Sequence, residues 1–163
     1  KPVIAAVNGH AVAGGCGLAT LCDVTLAVPE AKFGYPEVRV GFMPAFVAVF
    51  LVRQIGEKRA RELLLTGRLI EASEAKELAL VNEIVPAGAL LDRAKEIAAR
   101  FVEASPTGIR FTKRLLGDFA RAKIERDLEL SIEASSRIRS TADFREGLSA
   151  FLEKRKPRWG NNV

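Results

Sequence analysis

Pro2-Val3-Ile4-Ala5-Ala6-Val7-Asn8-Gly9, followed by Ala13-Gly14-Gly15-Cys16-Gly17, Leu18-Ala19-Thr20-Leu21-Cys22 and Val24-Thr25-Leu26-Ala27-Val28, is the stretch that decides the fold. The first run is short, nearly continuous and apolar, and Asn8-Gly9 stops it. That pattern predicts a strand buried on both faces and ended by a turn. The glycines predict a turn opening into a short helical segment over Leu18–Cys22, which Asp23 brings near its end. Val24–Val28, rich in β-branched residues, predicts a second strand. Strand, glycine turn, helix and strand in this order make an α/β arrangement.

Further along, Ala31-Lys32-Phe33-Gly34 and Val38-Arg39-Val40-Gly41 read as short extended pieces on either side of Pro36-Glu37, which puts Glu37 on an irregular connection. Ala45 to Ile55 is a strongly apolar helical stretch closed by Gly56. Lys58–Leu65, Ser73–Leu80 and Ala89–Ser105 show helical spacing of apolar residues. Val81–Val85, ended by Pro86, reads as a strand. After Pro106 the pattern is helical over Ile109–Leu116, Ile124–Ser140 and Asp143–Lys154, before a polar tail at Gly160-Asn161-Asn162. The chain divides on this reading into an α/β front at 1–56, a continuation of that core at 57–105 and a helical back at 106–163.

The composition is that of a globular chain: 48% hydrophobic and 28% charged residues over 163 positions, enough length to bury a core without disulfides or a structural metal. Only Cys16, Cys22 and His10 are available as soft ligands, so a zinc site lacks donors and reduced thiols in a cytoplasmic protein are expected. No apolar run reaches the length of a membrane span. The net charge of +5 is spread among interspersed acids and bases, as in Glu57-Lys58-Arg59, which argues against nucleic acid as the main partner and suits a small polyanionic ligand. The chain starts at Lys1 and runs straight into an apolar strand, which reads as a start in mid-fold.

Two local features point to chemistry. The glycines of Ala13–Gly17 let backbone approach a ligand closely, and the helix that opens there offers unpaired N–H groups and a positive dipole end to an oxygen gaining charge. The dinucleotide and phosphate-loop glycine patterns are both missing from it. Glu37, between Tyr35-Pro36 and Val38, is a carboxylate in apolar company, where desolvation raises its pKa and suits it to proton transfer near neutral pH. Read alone, each is also compatible with an ordinary turn and a solvated loop glutamate. His10, beside a turn, reads as structural.

Taken together, Lys1–Gly9, Ala13-Gly14-Gly15-Cys16, Cys22-Asp23, Phe33-Gly34-Tyr35-Pro36-Glu37-Val38 with Gly41, Leu65-Thr66-Gly67-Arg68, Leu80–Pro86 and Glu146–Arg155 resemble the crotonase superfamily, which includes the enoyl-CoA hydratases and isomerases. The resemblance covers essentially the whole chain, as a C-terminal part of the family's length. It implies a crotonase-like ββα spiral, here partial with its N-terminal turns missing, and a C-terminal α-helical region that associates as a trimer or hexamer. The ligand it implies is an acyl-CoA thioester, with CoA as part of the substrate and no metal or separate cofactor. Carried over by position, Gly14 supplies an oxyanion N–H, Glu37 is the acid/base, and Phe151 and Lys154 lie near the adenine and phosphate end of CoA, often in a neighbouring subunit.

The sequence departs from the family pattern in three places. Gly17 stands where the typical hydratase has a second glutamate, which favours an isomerase that shuttles one proton. Pro44-Ala45 with Gly17 resembles members classed as hydratases. The family's other oxyanion N–H comes from an earlier strand, so half of that hole lies outside this sequence. Ala79 replaces a glycine after the helix from Ser73, where a left-handed helix end costs about 1 kcal/mol. The reading is enoyl-CoA hydration, with isomerisation by Glu37 alone and a non-catalytic assembly or binding module as the alternatives.

Overall fold

The computed structural model describes residues 1–160, so the part of the expected polar tail at Asn161-Asn162 lies outside the described residues. Two small sheets form the front. In the first, β1 (Ile4–Val7) pairs in parallel with β3 (Val24–Ala27), which pairs in parallel with β6 (Glu83–Ile84). In the second, β2 (Ala11–Val12) runs parallel to β4 (Lys32–Gly34), and β4 is antiparallel to β5 (Leu69–Glu71). The α/β order expected from the glycine-rich stretch is present: α1 (Gly14–Thr20) lies between β2 and β3.

Three local expectations are corrected. β1 is half-buried rather than buried on both faces, because it is an edge of its sheet; β3 takes the centre, with Leu26 and Ala27 fully buried. The helix after the glycine turn begins at Gly14 itself, not near Leu18, since three glycines still close a helical turn when the elements around them fix the backbone. Residues Pro36–Val40 form a 3₁₀ helix where Val38–Gly41 was expected to be extended: Pro36 is preset for a first helical position and Gly41 ends the turn at φ 66°.

The helices follow: α2 (Ala45–Ile55), α3 (Glu57–Thr66), α4 (Ala72–Glu77), α5 (Leu90–Glu103), α6 (Pro106–Asp118), α7 (Arg121–Ile138) and α8 (Ala142–Leu152). The ending of α4 confirms the oddity at Ala79. Its φ is 60°, with Ala79 N–H donating to Lys76 and Leu80 N–H to Ala75, the paired bonds of a Schellman end built without its usual glycine.

The core gathers Leu26, Val28, Phe33, Leu51, Leu63 and Ile70 between the sheets and helices α1 to α4. The C-terminal helices close on this front at two contacts, α2 on α7 and the 3₁₀ helix on α8. At the second contact Gly41 and Gly147 interlock: a Cβ on Gly147 would strike the carbonyl of Val40, and one on Gly41 the carbonyl of Asp143. Phe42 and Phe144 stack beside it with centroids 5.4 Å apart. Both cysteines are free; Cys16 is buried in α1 and Cys22 is partly exposed just beyond it. Among the described residues no helix is long and apolar enough to cross a membrane.

Candidate active site

The site is built where α1 begins and where β4 ends. Ala13, immediately before α1, holds φ 54° and ψ −127°, an unusual conformation for a residue with a Cβ. Its N–H donates to the Gly34 carbonyl at 2.8 Å, which pins the entrance of α1 to the end of β4. Gly14 and Gly15 follow in the first turn, exposed, with N–H groups that have no acceptor inside the helix. They carry the positive end of a short dipole.

Glu37 sits in the 3₁₀ helix just after β4. Its carboxyl is half-buried, and Oε2 is fully shielded without any hydrogen-bond partner in the protein. Burial pushes its pKa up, opposed in smaller part by a hydrogen bond from its own backbone. It lines a cavity of about 620 Å³ together with Ala13, Val12, Phe144, Leu148 and Phe151. The carboxyl and the residue that introduces Gly14 therefore share one mostly apolar space, where a developing negative charge is felt strongly.

Gly17 is buried and faces α2, where any Cβ at this position would collide with Val47 Cγ1. The place of a second carboxylate is thus filled by an apolar side chain from another element. Phe151 lies in the same cavity as Glu37, within one chain. Lys154 does not line it: the residue stands just past α8 in a left-handed conformation at φ 53°, exposed, and Arg155 lines the cavity instead. Arg155 is held there by a forked pair to Glu146 at 2.5 and 3.0 Å. His10 accepts a bond from the Lys32 N–H at 3.2 Å, a structural task.

The sequence reading missed Phe144 and Leu148. With Gly147 and Phe151 they fall at i, i+3, i+4 and i+7 of α8, so the signal was one helical face. It also missed the polar cluster under the site. Tyr35, 1% exposed, lies with its hydroxyl 3.4 Å from Thr20 Oγ1, on the same buried stretch of α1 as Cys16. Burial pushes both the phenol and the thiol above their ordinary values, so both stay neutral. Among the described residues no cluster of three or more His, Cys, Asp or Glu could hold a metal ion.

The fold and this site define a class. The enoyl-CoA hydratase/isomerase family model matches residues 1–162, and the chain belongs to that family. The match covers nearly the whole chain, and the narrower expectation of a C-terminal part of the family is not borne out by it. A Thermus thermophilus protein with a provisional enoyl-CoA hydratase name is 50% identical over 159 residues, covering 98% of this chain and 63% of that protein. The crotonyl-CoA hydratase of Syntrophomonas wolfei is 41% identical over 157 residues, covering 96% of this chain and 60% of that protein. The chain thus spans about three fifths of the length of these relatives. The solved structure of a carnitinyl-CoA dehydratase from Mycobacterium avium superposes with a TM-score of 0.90 at 36% identity, covering 99% of this chain and 65% of that one. The crotonase-like α/β fold is thereby established.

Proposed function

We propose that this chain carries the acid/base and one oxyanion donor of an enoyl-CoA hydratase, which adds water across the C2=C3 bond of a 2-enoyl-CoA thioester. The observation that carries the reading is Glu37: a shielded carboxyl oxygen with no protein partner, in a cavity it shares with Ala13 at the opening of α1. The Glu37 carboxylate takes a proton from water as the water oxygen bonds to C3. The π electrons shift toward C1, and charge collects on the thioester oxygen, where the Gly14 N–H donates. Returning the proton from Glu37 to C2 completes the addition of one water, with the carboxylate restored. A donor that meets the oxygen only as it becomes charged lowers the barrier more than it tightens binding, and such a donor contributes about 10²–10³ in rate. Relatives named as hydratases support the reaction.

A second reading rests on Gly17 and Val47. With no second carboxylate, one base moving a proton between C2 and C4 is sufficient for a double-bond isomerase. Phe151 and Arg155 in the cavity wall fit the CoA end of the ligand, and the reaction as proposed needs no metal or redox cofactor. The exposed apolar face of α6, with Phe111 63% and Leu115 54% accessible, supports self-association as a trimer or hexamer; sedimentation velocity reads it directly. Two free thiols suit a cytoplasmic setting.

The test is mass spectrometry of 2-enoyl-CoA and 3-enoyl-CoA incubated in deuterated buffer with the enzyme that contains this chain, beside its Glu37→Gln variant. Gain of water by the 2-enoyl ester, lost in the variant, is the expected result. Bond migration with deuterium uptake and no gain of water favours the isomerase. Silence with both substrates favours an assembly or binding module.

A further inference from the structure

Glu37 and Gly14 stand on different elements, and the chemistry proposed above works only if their separation is fixed to a fraction of an ångström. Tyr35 is placed to fix it. It follows Gly34, the last residue of β4, and comes two residues before Glu37, yet its hydroxyl reaches α1 rather than its own segment. There it lies 3.4 Å from Thr20 Oγ1, one helical turn along from Cys16, and both residues are buried. Thr20 in turn donates back to the Cys16 carbonyl at 2.9 Å.

The neighbouring residue makes a second tie, since the Gly34 carbonyl accepts from Ala13 N–H. The Gly34-Tyr35 dipeptide therefore grips α1 at two points, by backbone at its entrance and by side chain along its buried face. A phenylalanine would fill the same volume without burying a hydroxyl, and a buried hydroxyl costs stability unless bonded. What the hydroxyl adds is direction. We infer that Tyr35 is a positioning residue, whose hydroxyl contact with Thr20 holds the Glu37 carboxyl in register with the Gly14 N–H; the inference rests on the acid/base reading of Glu37.

The test is a double-mutant cycle, Tyr35→Phe and Thr20→Val, in the enzyme containing this chain, with kcat, KM and Tm measured for each. Tyr35→Phe is expected to lower kcat about tenfold, the cost of a misplacement well under 1 Å, with KM within about twofold. Thr20→Val should show a smaller loss of the same kind, and the double variant no greater loss than Tyr35→Phe, because both cut one tie. An unchanged kcat for Tyr35→Phe beside an active parent overturns the inference while leaving the role of Glu37 intact, as does a fall in Tm with no kcat effect. A Glu37→Gln enzyme as active as the parent overturns the acid/base reading and this inference together.

Discussion

Glu37 has a sequence neighbourhood that already marks it for desolvation, and the folded chain completes the job by leaving Oε2 without a partner. A carboxyl whose pKa is raised on folding binds more protons folded than unfolded, so stability falls as pH climbs from its unfolded value, near 4.5, through the folded one. Below that window both forms are protonated and the cost vanishes. Glu37→Gln is therefore expected to raise Tm at pH 8 and to change it little at pH 4. Melting curves at the two pH values check it. Gly17 was equally visible in the sequence as a missing carboxylate, but Val47 was not, because 30 positions separate them and only the packing of α2 on α1 brings them together. Gly17→Glu alone should lose about 1–3 kcal/mol from overpacking, with part of it recovered in Gly17→Glu/Val47→Ala, as denaturant melts of the pair would show.

Elements with a full helical period were legible at their bounds: α2 lies over the residues its apolar pattern marks, and α7 and α8 differ only at their ends. The two-residue β2 and three-residue β5 were not, since a strand that short has no alternation to read and exists only through its ladder to β4. Residues 36–40 had their start and stop signals in Pro36 and Gly41, but a single turn shows no period. The end of α4 is where sequence and structure agree on a cost. Ala79 is exposed and holds a positive φ that a glycine adopts without steric cost. Ala79→Gly should stabilise the chain by about 1 kcal/mol, an increase in Tm with turnover unchanged.

Across the whole molecule, the site depends on a contact between residues that the sequence holds far apart. The resemblance put Phe151 near the ligand, yet the reason it reaches the Glu37 cavity is the close crossing of α8 over residues 36–41 at Gly41 and Gly147. Periodicity shows which face of a helix is apolar and is silent on which loop that face will meet. Gly147→Ala is expected to push α8 outward, cost about 1–3 kcal/mol, and let water reach Glu37. Hydrogen exchange should then quicken at residues 36–41 and the acid limb of the pH–rate profile should move to lower pH, as rehydration returns the carboxyl toward its ordinary range. The arrangement of the two thiols gives the same molecule a built-in clock. Cys22 meets an aqueous alkylating reagent at once, whereas Cys16 is fully buried on the inner side of α1 and reacts only when that helix parts from its neighbours. The delay between the first and second adduct therefore times how often the two halves of the site separate, without a probe having to be engineered in.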